Sequence, residues 1–208
     1  MIAYSRAVSS VDTVSASSAD RGAYSPAQAR TIAAAVELFS RHGVSGTSLQ
    51  MIADAVGVTK AAIYFQFRTK FDIVLGVATS ELAWLEAAVD EAEAQQCDVT
   101  AREVLLSRMI DLTVERRGFV GMLQTDPVIA EFLADYEPFH RVMDRLFAVL
   151  ETGDSTGTTE VPTSMLMAAI GGAATHPLVA NFDNATLRLH LMHLTQRLFR
   201  LPAEDHPT

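Results

Sequence analysis

The feature of this sequence that most constrains its fold is a succession of apolar stripes with α-helical spacing. In residues 25–42, Ile32, Ala35, Val36 and Phe39 fall on one face of a helix. Most later segments repeat this spacing, and none alternates apolar and polar residues as a half-buried strand does. Glycine is sparse and lies between the periodic segments. The sequence therefore predicts an all-α fold.

Helix-capping residues indicate where the helices begin. Ser25-Pro26 and Asp126-Pro127 each place a capping side chain before a first-turn proline, while Thr47, Thr59 and Asp183 are single N-caps. Two Thr-x-x-acid patterns, from Thr69 and from Thr100, predict capping boxes. Pro138 is expected to kink or split its helix and Pro177 to bend another. We predict helices over residues 25–42, 47–57, 59–65, 69–95, 100–118, 119–124, 126–150, 164–179 and 184–200, with a polar loop at 152–163.

The charge of the chain is distributed unevenly. The net charge of −9 is unusual for a protein that binds nucleic acid. Residues 21–75, however, carry six basic against three acidic residues, whereas residues 76–208 carry nine basic against twenty acidic ones. We expect a mildly basic head to approach phosphates and an acidic body to be repelled from them.

Several classes of protein find no support in the sequence. The longest apolar candidate, Ser164 to Ala174, is far shorter than the roughly 20 residues of a membrane span. No leader pattern is visible either, so we expect a cytoplasmic protein without a membrane partner. Cys97 is the only cysteine, which excludes an intrachain disulfide. His190 and His193 have the spacing of a metal-binding pair but no third ligand, so no metal site is predicted.

Catalytic motifs are absent from the sequence. It contains no G-x-S-x-G, no Walker loop, no H-E-x-x-H and no dinucleotide fingerprint. We therefore predict no enzyme activity, no catalytic residue and no cofactor.

The segment between the second and third helices favours a helix-turn-helix. Residues 54–59 combine a small residue, Ala55, with Gly57, which tolerates a left-handed backbone, and with the cap Thr59. Two helices joined in this way cross steeply and present the second one outward, toward a DNA major groove. The spacing alone fits an ordinary structural helix pair as well.

The residues around this turn resemble the DNA-binding signature of the TetR family. The matching stretches are TSLQMIA at 47–53 and GVTKAAIYFQFRTK at 57–70, within a resemblance that covers about residues 28–75. Gln66 stands where the family usually has histidine, and its amide still donates to phosphate. The resemblance implies a DNA-binding helix-turn-helix followed by a helical ligand-binding and dimerisation domain.

The resemblance and side-chain chemistry together assign the DNA-contact residues. Residues at the start of the recognition helix are predicted to reach base edges, and these are Thr59, Lys60 and Ala61, with Gln50 as a further groove contact. Residues predicted to hold phosphates are Thr47, Tyr64, Gln66 and Lys70. Two alternatives remain open at this point, a half-buried Tyr64 and a merely solvated Lys70.

The middle helices are rich in Met and aromatic residues, which can line an adaptable apolar pocket. The residues predicted to bind a ligand are Trp84, Met109, Phe119, Met122, Phe132, Tyr136, His140 and Met143. Ordinary core packing is the alternative for each of them.

The last two helices predict a homodimer through residues 164–200. Small residues between Ala168 and Ala174 permit close helix approach, and the leucines at 187, 191, 194 and 198 form a heptad-like seam. Intrachain packing of these helices is the alternative.

We thus predict three regions, a disordered tail at 1–24, a helix-turn-helix domain at 25–70 and a helical effector-binding and dimerisation domain at 71–208. The predicted function is a ligand-responsive transcriptional repressor. It binds a palindromic double-stranded DNA operator as a homodimer and is released by a small apolar or amphipathic effector. A helix-turn-helix protein that senses nothing remains the alternative, and so does activation in place of repression.

Overall fold

The computed structural model describes residues 24–150 and 160–199. The predicted tail at 1–24, apart from Tyr24, and most of the predicted loop at 152–163 lie outside them. Across the described residues the chain forms α-helices and no strand, so the predicted all-α fold is confirmed. The helices are α1 (Pro26–Gly46), α2 (Leu49–Val56), α3 (Lys60–Gln66), α4 (Lys70–Glu93), α5 (Asp98–Glu115), α6 (Arg117–Thr125), α7 (Pro127–Ala134), α8 (Glu137–Leu150), α9 (Glu160–Thr175) and α10 (Asn184–Phe199).

Five of the predicted caps are present. Ser25 and Thr69 each form a capping box, Thr59 accepts a hydrogen bond from the backbone of α3, and Asp126 accepts one from the first turn of α7. Asp183 likewise accepts a hydrogen bond from Thr186 N, 2.8 Å away, at the start of α10. Each of these interactions spans two or three residues, so the local sequence is sufficient to specify it.

Other predicted helix ends are wrong. Ser48, not Thr47, caps α2, because the Ser48 hydroxyl accepts from Met51 N while Thr47 ends α1. The helix predicted from Thr100 already begins at Asp98, since Cys97 occupies the N-cap position without a side-chain hydrogen bond.

The helix predicted over 126–150 is split into two helices, as expected from Pro138. The break between α7 and α8 falls at residues 135–136, just before Pro138. A proline is easily accommodated in the first turn of a helix but not in its interior, so the chain begins a new helix there. The helix predicted over 164–179 spans Glu160–Thr175 instead, followed by a 3-10 turn at Pro177–Val179.

Two apolar cores organise the helices. One lies in the head, where residues of α1 to α3 pack against Ile73, Val74 and Val77 of α4. Met122 of α6 and Ile129 of α7 are buried in this same core. The other core joins α4, α5 and α8 to α10. The head is therefore held directly against the body, and α4 contributes to both cores.

None of the described helices combines the length and the apolar character needed to cross a membrane.

Candidate nucleic-acid interface and ligand cavity

The turn between α2 and α3 depends on a left-handed glycine. Gly57 has φ 79° and ψ 35°, and its N–H donates to Ala53 O at 2.9 Å. Val58 N also donates to Ala53 O, at 3.0 Å. A side chain at residue 57 would strain this conformation, so glycine permits the sharp change of direction here. Thr59 then caps α3 with its hydroxyl oxygen 3.2 Å from Ala62 N.

The short helix α3 is anchored on one side and exposed on the other. Ile63 is completely buried in the head core, whereas Lys60, Ala61, Tyr64 and Phe65 are exposed. The Phe65 ring is 92% exposed, which leaves a large apolar surface in water. A ring this exposed is available for contact with a partner.

Phe65 is not among the DNA-contact residues that were predicted from the sequence. It lies off the stripe of Ile63, so helical periodicity already pointed its side chain outward. Five predicted DNA-contact residues share this exposure, namely Gln50, Thr59, Lys60, Ala61 and Tyr64. The Lys60 ammonium lies 5.8 Å from the centroid of the Tyr64 ring, and the Gln50 amide donates to Asp54 at 2.7 Å.

Two of the predicted phosphate-contact residues are engaged inside the head. Thr47 is 2% exposed, and its hydroxyl donates to Gly43 O at 2.8 Å. The Gln66 amide oxygen accepts from the Thr31 hydroxyl at 2.9 Å, which joins α3 to α1. Both side chains thus stabilise the head itself, and the exposed surface lies beside them.

Lys70 is also tied within the chain. Its ammonium donates to Val44 O at 2.8 Å and to Thr47 O at 3.1 Å. These carbonyls lie at the end of α1, where a positive charge is favourable because helix carbonyls lack partners there. Lys70 therefore fastens the start of α4 to the end of α1, while Arg68 is exposed nearby in sequence.

The body contains a cavity of about 270 Å³ with largely apolar walls. Side chains from α4 to α9 line it. Five residues predicted to bind a ligand are among them, and these are Trp84, Met109, Phe119, Tyr136 and Met143. The cavity therefore lies among the helices that were predicted to bind a ligand.

Three predicted ligand-binding residues do not line this cavity. Met122 is buried in the head core, on the side of α6 that faces away from the cavity. Phe132 packs against the same head core and makes an edge contact with Phe71, with ring centroids 5.5 Å apart. His140 is exposed, and its Nε2 lies 2.8 Å from Ala134 O. Spacing along the chain could not distinguish the faces of these short helices.

Two charged residues of the cavity wall were missed. Glu81 of α4 accepts a hydrogen bond from Arg116 across 2.5 Å, and the Arg116 guanidinium lies 4.7 Å from the centroid of the Trp84 ring. Burial raises the pKa of the Glu81 carboxyl, and Arg116 only partly opposes this effect. The sequence did carry a signal, since Glu81 interrupts the apolar stripe of Ala78 and Leu82.

Large apolar side chains are exposed on the last two helices and the turn between them. They are Met165, Leu178, Phe182, Leu189 and Leu194. The predicted heptad seam does not lie on one surface, however. Leu187 and Leu191 are buried in the body core, Leu194 is exposed, and residue 198 lies outside the described side chains.

His190 and His193, which have the spacing of a metal-binding pair, both lie on α10. His190 stacks on Phe182, with ring centroids 6.1 Å apart. In the part of the chain that the structure describes, no three His, Cys, Asp or Glu side chains form a metal-binding cluster.

Comparison with known proteins identifies relatives of the head. Residues 32–77 match the family model of bacterial regulatory proteins of the tetR family. The chain is 56% identical over 39 residues to the HTH-type transcriptional regulator AcrR of Shigella flexneri, covering 19% of this chain and 18% of that protein. It is 32% identical over 96 residues to the HTH-type transcriptional regulator TtgR of Pseudomonas putida, covering 43% of this chain and 44% of that protein. These matches span less than half the length of either relative.

The fold extends the likeness over most of the chain. The TetR-family transcriptional regulator PfmR from Thermus thermophilus superposes with a TM-score of 0.62, covering 81% of this chain and 97% of that one. Sequence identity over this superposition is 22%, so the likeness is one of fold.

Proposed function

Because the chain belongs to the TetR family of bacterial regulatory proteins, we propose that it is a ligand-responsive transcriptional repressor. It binds a palindromic DNA operator as a homodimer, and a small apolar or amphipathic effector releases it. Regulators of this family act on DNA, so we propose no enzymatic role and a location in the cytoplasm, with the chromosome.

The exposed side of α3 carries the DNA-binding part of this proposal. Lys60 and Ala61 open the helix and are free to reach base edges, where lysine donates to guanine and a methyl group contacts thymine. Tyr64 and Phe65 follow one turn later and offer a hydroxyl and an apolar ring to the DNA. Arg68 supplies an exposed positive charge for phosphate.

Selection of bound sequences from random double-stranded DNA tests this assignment. We expect enrichment of a palindrome whose half-sites lie about 34–36 Å apart or somewhat more. Phe65→Ala should weaken binding to the selected operator by about tenfold or more while the thermal unfolding midpoint stays unchanged, because the ring makes few contacts within the chain. Val99→Ala, at another exposed apolar residue, is the matched control. Selection that enriches no sequence would overturn the DNA-binding proposal.

The homodimer is supported by the apolar surface of the last two helices. Met165 on α9 and Leu189 and Leu194 on α10 are each more than half exposed. Small residues at 168, 169 and 173 lie exposed on α9 as well, which allows a second copy to approach closely. We propose that residues 164–197 form the dimer interface, and that the buried Leu187 and Leu191 support it from within.

The effector site is the cavity beside α4, and α6 connects it to the head. Phe119, Val120 and Leu123 of α6 line the cavity, whereas Met122 is buried in the head core. A ligand that moves α6 therefore acts directly on the head. Only a ligand with different affinities for the DNA-competent and incompetent forms changes operator binding, typically by about 1–3 kcal/mol.

A screen of apolar and amphipathic compounds by Trp84 fluorescence tests the effector site, because Trp84 is the only tryptophan and lines the cavity. Compounds that change its emission are expected to weaken operator binding. Ala78→Leu, which fills space beside the cavity, should reduce their affinity, while Ala87→Leu on the exposed side of α4 should not. If no compound binds, the proposal of an effector site is refuted, while the proposal of DNA binding is unaffected.

A further inference from the structure

The cavity wall contains two charged side chains, Glu81 and Arg116, among apolar and aromatic neighbours. They form an ion pair with 2.5 Å between Arg116 Nη1 and Glu81 Oε1. The Glu81 side chain is 6% exposed and the Arg116 side chain 28%. One member of the pair is thus enclosed by protein, and the other lies between the cavity and the solvent.

The carboxylate of Glu81 is only partly compensated by its partner. Loss of solvation is the largest influence on this group and raises its pKa, whereas the charge and hydrogen bond of Arg116 act in the opposite direction and are smaller. A second positive group, or one that fits the carboxylate more closely, would therefore stabilise the ionised form.

Of the two members of the ion pair, Arg116 is the one whose side chain can move away from the cavity. It occupies the junction between α5 and α6, with φ −117° and ψ 32°, outside regular helix geometry. Its guanidinium already stacks on the half-exposed Trp84 ring, so it reaches water by a short movement. Glu81 lies inside α4 and has no comparable freedom.

The remaining walls suit an apolar body that carries a positive charge. Trp84, Phe119, Tyr136 and Phe139 all line the cavity, and aromatic faces attract cations, most strongly where water is excluded. The acidic surplus of residues 76–208 also raises the concentration of cations around the body.

We propose that the effector is an organic cation with an apolar body, whose positive group replaces Arg116 beside Glu81. This inference rests on the proposed function for its regulatory consequence, but not for the binding itself. Arg116 also occupies the N-cap position of α6. Its displacement therefore acts on the helix that packs against both the cavity and the head core.

An anionic effector is the competing possibility. It would pair with Arg116 and leave Glu81 without a partner inside the protein, which is strongly unfavourable unless the carboxyl takes up a proton. The two possibilities predict opposite effects of removing Arg116.

Three ligands with one phenylbutyl body test the proposal, namely 4-phenylbutyltrimethylammonium, 4-phenylbutanol and 5-phenylpentanoate. Each ligand is titrated into the full chain without DNA, and calorimetry and Trp84 fluorescence measure its affinity. We expect the cation to bind best. Glu81→Gln should weaken its binding by about tenfold or more, because a desolvated charge partner is lost. Glu115→Gln, at an exposed carboxylate beside Arg116, is the control and should leave the affinity unchanged.

Arg116→Gln provides the decisive comparison. It should raise the affinity for the cation, because the competitor for Glu81 is gone, and circular dichroism verifies that each variant is folded. Equal binding of the three ligands, binding of the anion alone, or weaker cation binding by Arg116→Gln would each overturn the proposal. If 4-phenylbutanol releases the operator and the cation does not, the charge assignment fails and the regulatory function stands. Cation binding through Glu81 without operator release refutes only the regulatory step.

Discussion

At the scale of single residues, the chemistry of a side chain depends on what the fold brings next to it. Lys70 begins α4, where a positive charge opposes the helix dipole, and a phosphate contact would remove that conflict. The structure removes it differently, because the ammonium donates to Val44 O and Thr47 O. The same lysine therefore serves the stability of the head.

Lys70→Ala and Arg68→Ala should separate the two roles. We expect Lys70→Ala to lower the free energy of unfolding by about 1–2 kcal/mol, because two carbonyls lose a charged donor. It should leave the salt dependence of operator binding unchanged. Arg68→Ala should lower that salt slope by about 1 and leave stability unchanged, since its side chain is exposed. Urea titrations and binding at several salt concentrations measure both effects. A reduced salt slope of operator binding for Lys70→Ala would instead support the predicted contact of Lys70 with phosphate.

Glu81 makes stability depend on pH in a defined direction. Its pKa in the folded protein is raised above the ordinary value of 4.5, so above that pH the folded chain binds more protons than the unfolded chain. The contribution of this group to stability is complete at lower pH and is lost as the pH rises through the raised pKa.

Glu81→Gln removes this contribution. Its free energy of unfolding should fall less than that of the native chain as the pH rises from about 4.5, because the group no longer ionises. Urea midpoints over a pH series give the comparison, and Glu115→Gln is the control. If the free energy of unfolding of Glu81→Gln and of the native chain depended on pH in the same way, burial would not disfavour the ionised form of Glu81.

At the scale of helices, α6 is the element that lies between the cavity and the head. One side of α6 lines the cavity and the other side packs in the head core. Asp126, the residue that follows α6, connects it to α1 of the head through a hydrogen bond. One oxygen of Asp126 accepts from Val44 N at 2.6 Å, where Gly43 interrupts α1 with φ 71°. The other accepts from Val128 N at 2.9 Å and caps α7.

Asp126→Ala should weaken the coupling between the cavity and the head. It leaves Val44 N–H buried without an acceptor, at a cost of about 1–3 kcal/mol. We expect the ratio of operator affinities with and without the best-binding phenylbutyl ligand to fall toward one. Asp183→Ala is the matched control, because it removes a cap from α10 at a distance from the head in sequence. If both variants keep the full ratio, the link through Asp126 does not carry the coupling.

At the scale of the whole molecule, charge and apolar surface divide the chain by function. In the proposed function, the basic residues of the head would approach DNA, and the acidic body would be repelled from it. The exposed leucines of α10 and Met165 of α9 lie in the body, within the segment predicted to dimerise. In the proposed homodimer, this arrangement would let two heads face one operator while the bodies pair.

Leu189→Glu and Leu194→Glu should yield monomers with folded heads. Each substitution brings two like charges together at a symmetric interface. Sedimentation velocity measures the assembly state, and circular dichroism verifies the fold. Val99→Glu, an exposed apolar residue on α5, should leave the assembly state of the native chain intact. Dimers from both leucine variants would place the interface elsewhere.

The sequence by itself determined the helical fold, about half of the helix starts and the turn between α2 and α3. The signals for these features are local, since a cap such as Thr59 bonds to a backbone group three residues away and Gly57 sets its own backbone angles. The family signature lies in the same short segment, between residues 47 and 70.

Only the tertiary structure decided which side chains meet. Glu81 and Arg116 are 35 residues apart in the chain, and Asp126 and Val44 are 82 apart. Met122 faces the head and Leu191 the body core because neighbouring helices close over those sides. Periodicity reports that a helix has an apolar side, but it does not say which partner covers that side. Long-range packing makes that choice, because it buries the most apolar surface while still supplying partners for the charged groups it encloses.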